Sequence, residues 1–573
     1  MNTPLSPTPP CHIIQVDDYG AKPDDGQDAT PAIRAALAAA GRFDGAPVVV
    51  QFAPGRYRCR GGEAHENGRT HQPSFTLATL DNVTIDGNGA TLVGGDIAIL
   101  FIFRDSRNIT VRNLTIDWDP LPHTSGRVEH LIPEEHAFDL SPLFPAQPPA
   151  GRIVQAILAY NPARRRLADR GSDVYQTQGE RDDHPTQLTP EGYLRIYHRT
   201  DAPLPAIGSH VVVRHQVYGY NAFIFNDCRN VLLEDVTIHA VPGMGVTGSD
   251  CRDITLRRLK VVPADGGWMS ATADATHFNG CRGQVMVEDS EFAGMGDDAI
   301  NIHAMYGLAT ARIDAHTLAV GRGRMHSYYD TVRGIWAAPQ AGDILEYSGG
   351  DEPLLAQGQM RVAEAWQDNA QQRTIIRFAE ALPDEVGENT VLSNITTTPS
   401  VRIRRCHVHS NRARGMLLQS RDVLLEDCLF EDISGAGLQI CTDAAEWWES
   451  LGSRDVTVQR CIFRRCNFGA ARREAALDIF ADLAVGRQAA PGVHQRLRLL
   501  DNAFDENDGA AIHIGSASDV EVHGNVFPLR NYPAIIVENS REVTIAGNVL
   551  SHSMGGVEIR GSSDRATIHV EDI

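Results

Sequence analysis

The stretch SDVEVHGNVFPLR (518–530) decides the fold when set beside its neighbours QRLRLLDNAFDEN (495–507) and REVTIAGNVLSHS (541–553). Each copy begins 23 residues after the last, and each reads as a short alternating strand, a polar pair and a second short strand. The same unit appears as CRNVLLEDVTIHA (228–240), CRDITLRRLKVVP (251–263), RDVLLEDCLFEDI (421–433) and RDVTVQRCIFRRC (454–466). One column runs Cys406, Cys428, Cys461, Asn502, Asn525, Asn548. A ladder of stacked bends would use such residues, because Asn can hydrogen-bond along the stack. A period of 22–23 residues is too short for a four-stranded propeller blade of about 40–45. The expected fold is therefore all-β: a right-handed parallel β-helix, with the hand taken from the crossover rule. Coils stack about 4.8 Å apart, so residues one period apart share a face.

Outward from the repeat, residues 1–12 read as a flexible leader and 13–118 as the N-terminal part of the helix. Thr30 and Pro31 predict a helix start with Thr as N-cap and Pro at the first helical position. Ala32, Ile33, Ala36, Leu37 and Ala40 make its apolar stripe, and Gly41 ends it. Such a helix would cap the open end of the solenoid. Two segments break the period, 119–220 and 308–398. Both read as β-rich, barrel-like insertions, the second walling the site. Between them lie the coils 221–307, and 399–573 forms the C-terminal part.

The net charge is −21, from 73 acidic and 52 basic residues, and no Lys/Arg-rich run occurs. Nucleic acid and anionic membrane are poor partners for such a chain, whereas a neutral sugar suits it. No apolar run approaches the roughly 18 residues of a membrane span. The opening MNTPLSPTPPCHIIQVDDYG lacks a basic n-region and an apolar h-region. A cytoplasmic protein is expected unless a leader has been removed. The ten cysteines form no CxxC pair or metal-ligand spacing, so neither a metal nor a cofactor is expected. Their repeat positions suit small buried hydrophobes. Pairing of solenoid faces into a homodimer is left open.

The chemistry concentrates in DATHFNGCRGQVMVEDSEFAGMGDDAINIH (274–303). Asp274 precedes Asp297 and Asp298 by about one coil, so stacking would bring the three carboxylates to one face. Glycosidic bond cleavage needs paired carboxylates. Gly294 and Gly296 would let the backbone turn tightly, and adjacent carboxylates should force one pKa up. A solvated acidic turn is the plain alternative. His277, Asn301 and His303, in the same coil, would offer donors and acceptors to sugar hydroxyls. A second cluster lies in NRARGMLLQS (411–420) and ICTDAAEWWES (440–450). Arg412 and Arg414 could meet a sugar or pair with Asp443 and Glu449, and Trp447–Trp448 could stack on a sugar or pack a core. His407 and His409 alternate along a strand without a metal-ligand pattern.

DATHFNGCRG, GMGDDAINIH, NRARGMLL and TDAAEWWES together resemble the motifs of glycoside hydrolase family 110, over roughly residues 13 to 550. The resemblance implies an exo-acting α-galactosidase, many of whose relatives cut terminal α-1,3-linked galactose, with single-displacement, inverting chemistry. It implies that Asp297 and Asp298 form the base pair and that Asp274 sits near the sugar. The general acid is expected in the second insertion, Glu346 first and Asp330 second. His277, Asn301, His303, Asp330, Arg412, Arg414, Asp443, Trp448 and Glu449 are the expected substrate-binding residues. The sequence departs from the family pattern at Thr442–Asp443, where Gly-Asp is usual, and at Glu449–Ser450–Leu451–Gly452, one residue longer than usual.

Three rival readings stand beside it. A family 28 polygalacturonase would share Gly-Asp-Asp but also need Asn-Thr-Asp, Gly-His-Gly and Arg-Ile-Lys, which are absent. A polysaccharide lyase would bind an acidic substrate against a charge of −21. A non-catalytic glycan-binding solenoid would tolerate loss of the aspartates.

Overall fold

The computed structural model describes residues 11–571 except 44, 62–72, 96, 145–149, 170–172, 176–184, 322–337, 372, 445–446, 470–472, 485–486, 528–532 and 551–555. Its body is a right-handed parallel β-helix with three faces. Face one stacks strands such as Arg252–Arg257, Arg282–Glu288, Ser400–Arg404 and Arg421–Glu426. Face two stacks the short second strands, Glu291–Ala293 on His407–His409 on Leu429–Glu431. Face three runs through Val246–Ser249, Thr276–Asn279, Ile300–Arg312, Met416–Leu418, Leu438–Asp443, Ala475–Ala484 and Ala510–Gly515.

The expected ladder is present. Asn548 Oδ1 accepts from Asn525 N–H, and Asn525 Oδ1 from Asn502 N–H, each at 2.9 Å. Asn502 Oδ1 accepts from Cys461 N–H at 2.9 Å, and Cys428 Sγ from Cys406 N–H at 3.4 Å. The column thus satisfies the buried backbone N–H of Cys406, Cys461, Asn502 and Asn525, which an apolar residue could not do. The unusual backbone angle lies one residue earlier than the ladder. Arg405, Asp427, Arg460, Asp501, Gly524 and Gly547 all have positive φ, between 51° and 70°. Inside, Phe430, Phe463, Phe504 and Phe527 stack at centroid spacings of 4.7, 5.0 and 5.3 Å, one ring per coil.

Helix α1 (Thr30–Ala40) covers the N-terminal end and buries Ile33, Ala36, Leu37, Ala39 and Ala40. Its cap differs from the sequence reading. Thr30 is already helical, and Asp28 Oδ1 accepts its N–H at 3.0 Å, while Thr30 Oγ1 accepts from Arg60 N–H at 2.7 Å.

The two insertions differ in closure. In the second, Ile300–Arg312, Thr317–Gly321, Arg373–Phe378, Gly358–Asp368, Ile344–Ser348 and Val391–Asn394 pair in that cyclic order, the last against the first. This is a six-stranded antiparallel barrel around Leu318, Leu345, Ile376 and Leu392. In the first, the path Arg166–Leu167, Ala156–Asn161, His210–Arg214, His123–Ile132, Ala137–Phe144, Leu194–Tyr197, Gln187–Leu188 is open. Its sheet meets the turns leading into face three, where Arg166 lies 3.8 Å over the Phe468 ring and Arg165 donates to Gly267 O at 2.9 Å. The barrel meets the turns leading out of face three, packing Met305, Tyr306 and Leu354 with Trp448 and Val493. Face three is therefore the floor between two walls.

Candidate active site

Asp274, Asp298 and Arg414 each stand two residues before a strand of face three, and those strands begin in register at Thr276, Ile300 and Met416. That stacking, with Asp297 beside Asp298, gathers three carboxylates whose nearest oxygens lie within 4.8 Å of one another. They are almost out of water, at 4, 8 and 1 % exposure for Asp274, Asp297 and Asp298. Two glycines permit the approach. Gly294 has φ +68°, and a Cβ on Gly296 would lie 2.3 Å from Thr272 O and 2.7 Å from Arg214 Nη1.

Each carboxylate has its own partners. Tyr218 OH donates to Asp297 Oδ2 at 2.6 Å and Arg412 Nη1 to Oδ1 at 3.0 Å. Arg412 is shared with Asp173, 2.9 Å from its Nε. Burial pushes the Asp297 carboxyl up, but Arg412, Arg414, Tyr218 and Arg214 outweigh it and hold it below the ordinary value. Asp298 accepts from Arg414 N–H at 3.0 Å and from its Nη2 at 2.8 Å. Burial, opposed by Arg414 and reinforced by Asp297 and Asp274, still pushes Asp298 up to about 8. Asp274 is driven well above the ordinary range, by burial first and then by Asp297.

Asp274 also heads a hydrogen-bonded line. Its Oδ2 is 2.7 Å from His277 Nδ1, His277 Nε2 is 2.8 Å from His303 Nε2, and His303 Nδ1 is 2.9 Å from Ala304 O. Burial lowers both imidazole pKa values, so the rings are neutral at neutral pH. A carbonyl only accepts, so His303 carries its proton on Nδ1 and accepts at Nε2. His277 must then donate from Nε2, which leaves Nδ1 bare, and Asp274 must supply the proton of the third bond. With both rings neutral, the three contacts place the extra proton on Asp274, in agreement with its burial. The line holds one proton beyond two neutral rings, and His303 Nε2, which accepts from His277, lies 3.8 Å from Glu449 Oε1. Glu449 also accepts from Gln419 Nε2 at 2.9 Å.

The remaining sequence candidates divide. Asn301 faces outward beside His277 on the next coil. Arg412 and Arg414 pair with the aspartates rather than with Asp443 and Glu449, because the coil stacking sets them on Asp297 and Asp298. Asp443 accepts from Trp447 N–H at 3.0 Å. Trp448 is buried between barrel and helix, with no face free for a sugar, while Trp447 is half-exposed. Glu346 does not fit the acid role. It is ion-paired with Arg421 at 2.5 Å and Arg454 at 3.1 Å. Burial raises it, but Arg421 and Arg454 outweigh burial and hold it below the usual carboxylate range, the reverse of what an acid needs. Asp330 lies outside the described residues.

Sequence reasoning missed Asp173, Arg214 and Tyr218, all from the first insertion. Arg214 is fully buried and donates from Nη1 to Thr272 O at 2.9 Å and Gly296 O at 3.0 Å, bracing the turn that carries Asp297. The signal available was a charged residue ending the apolar strand HVVVR (210–214). The three aspartates could in geometry take a cation, as could Glu291, His407 and His409 on face two. In the aspartate cluster, however, Arg412, Arg414, Tyr218 and His277 already hold the carboxyl groups, an arrangement suited to water and sugar hydroxyls.

These features place the chain in the class of right-handed parallel β-helices. Residues 387–527 match the family model described as right handed beta helix region, and residues 13–117 match rhamnogalacturonase A/epimerase, pectate lyase-like. Within that class the chain is similar to alpha-1,3-galactosidase A of Shewanella woodyi, 28 % identical over 86 % of this chain and 82 % of the relative. It is similar to the same extent to alpha-1,3-galactosidase B of Bacteroides thetaiotaomicron, 28 % identical over 86 % and 82 %. Among solved structures, a family 28 exopolygalacturonase of Yersinia enterocolitica aligns with TM-score 0.44 and 12 % identity, over 98 % of this chain and 78 % of that one.

Proposed function

We propose that the chain is an exo-acting glycoside hydrolase that removes terminal α-linked galactose, α-1,3-linked first of all, with inversion. The names of its sequence relatives support the galactoside class. The observation that carries the chemistry is the buried aspartate cluster on the floor of face three, with a carboxylate of different surroundings, Glu449, beyond the histidine pair. Inverting hydrolysis needs a base and an acid about 6.5–9.5 Å apart, with water between base and sugar. The aspartates are too close to one another to be that pair, so they act together on the water side. Asp298, with its pKa near neutrality, takes the proton from the attacking water. Asp297, kept charged by Arg412 and Tyr218, stabilises the positive charge that develops on the sugar ring. Asp274, as a neutral acid, donates a hydrogen bond without adding charge. Glu449 protonates the leaving oxygen and regains a proton from His303 Nε2, which takes it from His277 Nε2, so the proton gained on the water side returns to the acid.

Proton NMR of the protein with galactose-α-1,3-galactose tests the reaction. β-Galactose should appear first and mutarotate later; α-galactose as the first product refutes inversion, and no release from α-1,3, α-1,4 or α-1,6 galactosides refutes the activity. The role of Glu449 has a separate test. Glu449→Gln should lose about 10³-fold on the disaccharide yet keep most of its rate on a dinitrophenyl α-galactoside, whose leaving group needs no proton. Equal loss on both moves the acid elsewhere.

A further inference from the structure

Face three does not end at the aspartates. The outward column containing Asn301 continues in register through Leu417, Gln439, Asp478 and His513. At one strand spacing per coil, Asp478 is about 14 Å and His513 about 19 Å along the floor from Asn301. At that distance the floor opens into a cavity of about 630 Å³, lined among others by Arg473, Asp478, Phe480, Asp482, His513 and Glu538. Its base is built from charges almost wholly out of water. His513 and Asp478 are each 1 % exposed and bonded at 2.6 Å, with Glu538 3.3 Å from the other imidazole nitrogen. On the rim Arg473 lies 4.6 Å over the Phe480 ring and 3.7 Å from Asp482.

A second, independent observation joins this cavity to the aspartates. Asn301 Oδ1, Gln419 Oε1 and Gln439 Oε1 are buried acceptors that no donor among the described residues reaches, and Gln488 Oε1 is a fourth at the cavity. Their residues are 4, 1 and 4 % exposed for the first three. The amide N–H groups are turned away from this need: Gln419 Nε2 donates to Glu449 and Gln439 Nε2 to Cys441 Sγ. Natural structures leave few buried acceptors without donors, so a row of them along one floor marks where donors arrive from outside. Cationic and anionic side chains are nearly matched around the cavity, three (Arg473, His513, Arg560) against four (Glu474, Asp478, Asp482, Glu538). Neither an anion nor a cation is favoured. The fitting ligand is neutral, rich in O–H donors and several rings long.

We infer that face three is an extended glycan-binding floor, on which the amide oxygens lead the uncleaved part of a neutral oligosaccharide from the aspartates to a distal sugar site at Asp478, Phe480 and His513. The inference builds on the galactosidase reading for the direction of the chain, but the site itself stands on its own geometry. The kinetic test compares galactose-α-1,3-capped oligosaccharides of two to six sugars. In the wild type kcat/KM should rise about tenfold between the shortest and the longest. Arg473→Ala and Asp482→Asn, both on the rim, should abolish that rise and leave the disaccharide, too short to reach them, cleaved as before. A wild-type profile flat with length, or a rise that survives both substitutions, overturns the inference. Calorimetry with lacto-N-neotetraose, a neutral tetrasaccharide that lacks the α-galactose cap, separates this outcome from failure of the galactosidase reading. Saturable binding that weakens at least tenfold in Arg473→Ala supports the distal site even if no galactoside is cleaved, and absence of binding to the wild type overturns it.

Discussion

The two insertions have similar lengths and the same strand-rich composition, yet they serve the site differently. The barrel closes on itself and pairs its strand backbones internally. Its charged links to the helix, Glu346 with Arg421 and Arg454 and Asp343 with Arg282, are fastenings. The first insertion stays open. The strand His210–Arg214 and the segment after it deliver Arg214 and Tyr218 to the aspartates, and the short strand at Asp173 braces Arg412. An open sheet leaves strand ends and connecting segments free to reach a neighbour, whereas closure removes edges. The wall that looks more like a separate domain is the less chemical one.

The sharpest way to break this contrast is Arg214→Met. It leaves Thr272 O and Gly296 O without a charged donor and frees the turn that sets Asp297. Stability should fall by about 4 kcal/mol in denaturant unfolding, from two lost charged hydrogen bonds. Activity per folded molecule should fall about 10²-fold, from displacement of a reacting group. Unchanged activity in the folded fraction would mean that the first insertion is also a mere fastening. On the other wall, Glu346→Gln should cost about 3 kcal/mol, because two half-buried guanidinium groups lose the charge of their buried partner. The kcat of the folded enzyme should stay within twofold. A collapse in kcat with stability preserved would return Glu346 to the chemistry.

Much of this molecule was legible because it repeats. A buried Asn or Cys recurs once per coil, 22–23 residues apart where no longer loop intervenes, and the stacked coil follows from it. The Gly-x-Gly-Asp-Asp turn was legible for the same reason, since Asp274 lies one coil earlier. What repetition cannot show is which insertion reaches in. Asp173 lies 239 residues from Arg412 and Tyr218 lies 79 from Asp297. Neither sits in a periodic context, so no pattern connects them. Glu346 misled because a lone acid in an apolar strand reads alike whether it awaits a substrate or two arginines. Trp448 misled because an indole beside a glycan motif packs as readily in a core as on a sugar. The left-handed residue before each ladder position was hidden because Arg, Asp and Gly share no composition that marks it.

The mildest test bears on a single hydrogen bond. Tyr218→Phe removes the 2.6 Å bond to Asp297 and leaves Arg412 in place. The bond favours the charged carboxylate, so the Asp297 pKa should rise towards its ordinary value. The folded pKa of Asp297 lies below the unfolded one, so its stabilising contribution is present above the unfolded value, near 4, and is lost as pH falls through the folded value. The stability gap between wild type and Tyr218→Phe should therefore be constant from neutral pH down to about 4 and close below it. In the same variant kcat should fall about tenfold, with KM little changed, because a charge that stabilises the transition state is weakened while the ground state is not. A gap that persists unchanged below pH 3 would show that Tyr218 acts by packing alone. The open sheet would then hold the aspartates through Arg214 and Asp173, without a direct hydrogen bond to the reacting carboxylates.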